Sequence, residues 1–141
     1  MMGLPVIVSN YFRYMVGKKA VDLDTDIFYC CLMGDAFTFD PDNHQVYGDV
    51  STLEVAAGNG YATGGQALTG AYSQDNDADL AALDFEDFSW VADGGAIANI
   101  GSILVYDGTV SNLIVCCGPF SSGFSLPAGL SLDLSGVGVE L

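Results

Sequence analysis

Short apolar runs set apart by glycine-bearing turns dominate the second half of this chain. They fall at 96–107, 112–120, 130–134 and 137–141, with DGT, SSG, PAG and SG as the intervening turns. Leu130, Leu132 and Leu134 alternate with Ser131 and Asp133, and Val137, Val139 and Leu141 alternate with Gly138 and Glu140. That period of two marks half-buried strands. Upstream, IFYCCLM (27–33) is a continuous apolar run rich in β formers, and it predicts a strand buried on both faces. The stretch 80–91 is ambiguous. Its Ala and Leu content suits a helix, but Phe85, Phe88 and Trp90 favour a strand, which is the reading adopted from Leu83 onward. Tyr61 to Leu68 reads as a short strand with a bulge at Gly64–Gly65.

Three other segments have different patterns. Residues 9–19 predict the one helix. Ser9 or Asn10 can cap it, Tyr11 meets Met15 and Phe12 meets Val16 at i,i+4 spacing, and Gly17 can end it in the left-handed conformation. Residues 22–26 and 73–79 read as acidic turns. Residues 34–51 carry Gly, Pro, Asn and four Asp, so they predict a long loop; Phe37, Phe39, Val46 and Tyr47 make it an ordered one. Together these elements predict an all-β fold, a jelly-roll-like antiparallel β-sandwich with a short N-terminal helix, in a single domain over 1–141.

Charge changes the picture more than composition does. The chain has 141 residues, half of them apolar, which is enough for one core. Against 18 acidic residues stand 3 basic ones, for a net charge of −15. Such a balance argues against nucleic acid and against anionic membranes as partners. All three cations, Arg13, Lys18 and Lys19, lie within seven positions of one another in the helical segment. They are either solvated charges at a helix end or a contact element for an acidic neighbour, such as a second copy of the same chain. No apolar stretch reaches the roughly 18 residues of a membrane span. The apolar stretch Leu4–Val8 has neither a basic segment before it nor a cleavage site after it, so cytoplasmic synthesis is the expectation.

The sequence offers little chemistry. The cysteines form two adjacent pairs, Cys30–Cys31 and Cys116–Cys117, inside strand-like runs and without C-x-x-C spacing. Buried, inert thiols are expected, with a disulfide between the runs left open. His44 is the only histidine, no phosphate-loop lysine follows the glycines, and no nucleophile stands in a recognisable setting. An enzyme is therefore not expected, and neither a catalytic residue nor a cofactor is assigned. Asp75, Asp77 and Asp79 with Glu86 imitate calcium-loop spacing, but Leu80 occupies the position that needs glycine, so an EF-hand is rejected. A looser calcium loop there, or at Asp22, Asp24 and Asp26, stays open.

One resemblance adds to this reading. The order DLDTDIFYCCLM, then FDPDNHQVYGDVSTLEV, GNGYATGGQAL, FEDFSW and AIANIGSILVYDG resembles a group of small virion proteins of tailed bacteriophages. Gly58–Leu68 is its most specific part; Pro41–His44 and Ser89–Trp90 support it. The resemblance implies a head decoration, or cement, protein that sits on the outside of the capsid and clamps the major capsid protein. It also implies a dimer or trimer and a virion location. The contact candidates are Tyr11, Phe12, Arg13, Lys18 and Lys19 on the helix, and Phe37, Phe39 and Tyr47 on the long loop. A tail or head–tail connector component is the first alternative. The second is a host- or carbohydrate-binding sandwich that uses Trp90 and tyrosines as stacking platforms.

Overall fold

A computed structural model describes residues 4–77 and 79–141. It is all-β with one short helix, in antiparallel sheets. Ten strands are described: β1 (Ile7–Val8), β2 (Phe28–Gly34), β3 (Gln66–Ala67), β4 (Gly70–Asp75), β5 (Leu80–Phe85), β6 (Phe88–Val91), β7 (Ile97–Asp107), β8 (Leu113–Leu126), β9 (Ser131–Leu134) and β10 (Gly138–Glu140). They pair as a five-stranded sheet β1-β8-β7-β2-β3, a three-stranded sheet β10-β5-β4 and a two-stranded ribbon β6-β9. The antiparallel class is as the sequence predicts. Jelly-roll wiring is a narrower expectation: that fold rests on eight strands in two sheets, whereas pairing here divides the strands five, three and two.

Register explains why the central strands read as unbroken apolar runs. Cross-strand partners share a face. Cys30 and Leu32 therefore point the same way as Val105 and Ile103, while Tyr29, Cys31 and Met33 point with Tyr106, Leu104 and Ser102 to the other side. The first face receives the three-stranded sheet, with Phe28 meeting Phe85 of β5 edge-to-face at 5.7 Å. The second face is covered by the 34–68 segment. Tyr47 stacks on Tyr106 at 4.9 Å, and Phe37 and Phe39 line a small cavity with Ser102 and Cys117. With both faces covered, alternation is lost and every position from Ser102 to Asp107 is buried.

The same register settles the cysteines. All four thiols are free and buried. Cys30 and Cys116 both pair with Val105, from opposite sides; Cys31 and Cys117 do the same with Leu104. Two strand spacings, about 9.5 Å, separate the members of each pair. That exceeds the roughly 7 Å that a disulfide spans, so this register forbids the bridge the sequence left open. Burial pushes all four thiols above their ordinary range.

Several boundaries differ from expectation. The helix α1 spans Asn10–Gly17, shorter than 9–19, because Ser9 is its cap: the Ser9 hydroxyl accepts from the Phe12 N–H at 3.2 Å. Gly17 is helical, and the left-handed residue is Lys19 at φ 60°. The predicted turn 73–79 instead begins as strand, the last three residues of β4; every residue of β4 is exposed, so no apolar face marks it. Residues 76, 77 and 79 are in turn conformation, and Ala78 is outside the described residues. The 80–91 run is two strands in different sheets, broken at Glu86–Asp87. β8 continues through Ser121-Ser122-Gly123, which was read as a turn, because β7 still supplies partners out to Ile97. Of the Tyr61–Leu68 strand, only Gln66–Ala67 pairs with β2. There is no bulge at Gly64–Gly65 but a close crossing: at Gly65 (φ 78°) a Cβ would sit 1.8 Å from the Cys30 carbonyl oxygen.

Candidate protein-contact surface

The end of α1 is exposed, from Gly17 to Ala20. Its last turn closes with the Lys19 N–H on the Val16 carbonyl (3.1 Å) and the Ala20 N–H on the Met15 carbonyl (3.0 Å). This is the Schellman arrangement, with a lysine where glycine is usual. Arg13, Lys18 and Lys19 are all exposed, and the Lys18 Nζ lies 5.6 Å from the centroid of the exposed Tyr14 ring. None of the three forms an ion pair among the described residues. Tyr11 is half-buried and stacks on Tyr14 at 6.1 Å. Phe12 is wholly buried, so its ring belongs to the core and not to a contact surface.

The 34–51 loop is ordered, and it points its aromatic rings inward. Asp40 builds it: its carboxylate accepts from the Asp42 N–H (2.9 Å), the Asn43 N–H (3.3 Å) and the Asn43 side-chain amide (2.7 Å). The Asn43 side chain foremost, then the Asp42 N–H, holds this carboxyl below its usual range. The Asp40 N–H donates to His44 Nδ1 at 2.9 Å, and the His44 ring stacks on Phe37 at 5.5 Å. Phe37 and Phe39 are buried and Tyr47 is half-buried, so the loop anchors to its own sandwich. Asn10 ties the loop to the helix: its side-chain amide donates to Asp42, and its N–H to the Pro41 carbonyl at 3.0 Å. Of the eight predicted contact residues, Arg13, Lys18 and Lys19 remain on the surface, with Tyr11 beside them. Phe12, Phe37 and Phe39 are spent inside, and Tyr47 is half-buried against Tyr106.

Behind the loop lies a polar knot that sequence reading missed. Glu54 accepts from the Tyr47 and Tyr61 hydroxyls and from the Gly64 N–H at 2.7 Å. The Tyr61 oxygen also accepts from the Leu32 N–H at 2.9 Å, and the Tyr106 hydroxyl donates to the Gly64 carbonyl at 2.7 Å. Burial, then the hydrogen bond to Glu54, pushes the Tyr47 and Tyr61 phenols up. Burial with the nearby Cys31 pushes Tyr106 up to about 12. The one available signal was a lone carboxylate inside the apolar stretch Leu53–Ala57. This knot gives the Gly58–Leu68 motif its purpose: Tyr61 and Gly64 clamp the crossing chain to β2.

A second carboxyl site sits at the end of β7. Asp107 is wholly buried. Its Oδ1 accepts from the Thr109 N–H (2.9 Å) and the Val110 N–H (3.3 Å), while Oδ2 has no donor. Burial first, and the neighbouring Asp26 carboxyl second, push Asp107 up to about 7. Burial and the Asp26 carboxyl both favour the protonated form of Asp107 over its carboxylate.

The acidic turns show no cation cage. Asp22 spends its Oδ1 on the Asp24 and Thr25 N–H groups, and Asp75 Oδ1 accepts from Asp77. Among the described residues no group of three or more His, Cys, Asp or Glu is placed to hold a metal. Trp90 is 5 % exposed and packs on Phe88 and Tyr61, so it offers no stacking platform. No helix among the described residues is long and apolar enough to cross a membrane. No family model matches the chain, and no curated protein or solved structure matches it significantly either.

Proposed function

We propose that this chain is a structural virion protein of a tailed bacteriophage, a decoration protein that binds the outside of the major capsid shell and stabilises it. The observation that carries the reading is the segregation of charge. Three exposed cations, Arg13 within α1 and Lys18 and Lys19 just past its end, form no ion pair among the described residues, on a body that carries every acid. Such a molecule repels its like at long range and adheres where a complementary surface meets these cations. The resemblance of Gly58–Leu68 and its flanking motifs to small virion proteins supplies the class of partner. No catalytic step, cofactor, nucleic acid or membrane enters the proposal.

The test uses capsids of the phage that encodes the chain, stripped of this protein. Wild-type protein rebinds in many symmetry-arranged copies and raises resistance to heat. The triple variant Arg13→Glu, Lys18→Glu, Lys19→Glu loses at least tenfold in occupancy. Finding the protein only in tails, or at a single vertex, overturns the reading and favours the tail or connector alternative. Burial of Trp90 removes the chief stacking platform of the carbohydrate-binding alternative.

A further inference from the structure

Between the 34–51 loop and the β7–β8 ladder lies a cavity of about 160 Å³. Phe37, Phe39, Ser102 and Cys117 line it from buried positions. Ile7, Thr38 and Pro119 line it from exposed ones, so it reaches the surface. Its aromatic walls are fixed. The His44 ring packs on both, 5.5 Å from Phe37 and 5.9 Å from Phe39, and Asp40 holds the loop that carries them. The chain at Asp35 lies close against β7 because residue 101 is glycine: a Cβ there would sit 2.7 Å from the Asp35 Cα. None of these walls carries a charge. Burial pushes the Cys117 thiol up to about 11, outweighing the opposite pull of neighbouring Ser102, so the thiol is neutral.

Ser102 is the exception in this apolar setting. It is 3 % exposed, and register turns its side chain with Leu104 and Tyr106 toward the loop. The β7–β8 ladder slips between Ile100 and Ser102, the kind of irregularity that re-aims a side chain. The Ser102 Oγ has no hydrogen-bond partner within the chain. Cys117 beside it is a weak donor and makes no hydrogen bond to it. Leaving a buried hydroxyl unpaired is costly, and nearly all such groups in folded proteins find a partner. Water is a poor candidate here, because a buried water seeks two to four polar partners and these walls are chiefly apolar.

We propose that this cavity binds a neutral, single-ring aromatic molecule bearing one hydroxyl, with the ring against Phe37 and Phe39 and the hydroxyl paired to Ser102. Size sets the ring count. An apolar cavity of about 150 Å³ accepts benzene, so this one holds one ring and not two. Charge is excluded, because an ionised group would lose its water and meet no counter-charge. Anions are further repelled by the net charge of −15. An aromatic ring gains from packing on Phe37 and Phe39 beyond the area it buries. A serine hydroxyl both donates and accepts, so a ligand hydroxyl satisfies it in either sense. The site shares no residue with the cationic helix end and does not depend on the capsid reading.

The test uses the purified full chain with phenol, benzene and benzoate as probes, read by saturation-transfer NMR and calorimetry. Phenol is expected to bind with a dissociation constant of about 1 mM, and benzene about tenfold more weakly. Benzoate, of similar size but charged, should give no signal at about 10 mM. Ser102→Ala should weaken phenol about tenfold, to the level of benzene, and leave benzene unchanged. A merely structural role for Ser102 would move both probes together. Ser102→Leu fills the cavity and should abolish both. Thermal melts read by Trp90 report whether each variant is folded; should Ser102→Leu not be, the phenol-to-benzene ratio in Ser102→Ala decides alone. Absence of phenol binding to the wild type at about 10 mM overturns the proposal. So does equal binding of phenol and benzene, or a preference for phenol that survives in Ser102→Ala.

Discussion

Replacing Asp107 with Asn removes a titrating group from the closed end of β7 while keeping its shape. The Asn oxygen still accepts from the Thr109 and Val110 N–H groups, and its amide can donate permanently to Asp26. The wild-type carboxyl is raised from 3.8 to about 7 on folding. The folded state therefore holds this proton more tightly than the unfolded chain. Its contribution to stability is whole below about pH 4 and is lost as pH rises toward 7. At about 1.4 kcal/mol per unit, the ceiling is about 4 kcal/mol. Asp26 is half-buried, so water screens the pair and about half of that is expected. Asp107→Asn should thus be more stable than wild type by about 2 kcal/mol at pH 8, with the gap narrowing as pH falls to 5. Asp22, Asp40 and Asp49 act oppositely: hydrogen bonds lower them on folding, so they lend stability at neutral pH that fades in acid. They are common to both proteins and cancel in the difference. Urea unfolding followed by fluorescence of Trp90, the single tryptophan, measures the gap at pH 5, 6, 7 and 8, above the pI of about 4.1. A gap that stays constant with pH, or a variant weaker throughout, would refute the raised Asp107 carboxyl.

Three further outcomes follow from the same coordinates. Lys19→Gly relieves a left-handed backbone at the helix end and should raise stability by about 0.5–1 kcal/mol in the same assay; a loss would mean that the lysine side chain outweighs the strain. Tyr61→Phe strands the Leu32 N–H and takes one donor from Glu54, so a cost of about 1–3 kcal/mol is expected, and a neutral result would discount the polar knot. All four thiols should resist an aromatic disulfide reagent in the native protein and react after unfolding; rapid labelling of native protein would contradict the register of β2, β7 and β8.

The sequence by itself determined the class of fold and the places where chemistry is thin. Period-two alternation at 130–141 and the double-faced run at 27–33 are local properties of a strand, and the strands form there. The clustering of Arg13, Lys18 and Lys19 is likewise a fact of the chain, and the fold leaves all three exposed. Only tertiary structure could say which aromatic rings face out. Phe37 and Tyr47 occupy a loop whose composition suits either a docking surface or packing inside the same chain, and the choice depends on β7 presenting Tyr106 and Ser102 to that side. Glu54 meets Tyr61 seven positions on, but its meaning comes from β2, whose Leu32 N–H completes the knot. Asp107 and Asp26 stand 81 positions apart, and only the pairing of β2 with β7, Phe28 opposite Asp107, brings the Asp26 carboxyl close enough to push Asp107 up. β4 shows the same limit from the other side: with neither face buried, it had no pattern to read, and its strand exists because β5 offers it a ladder.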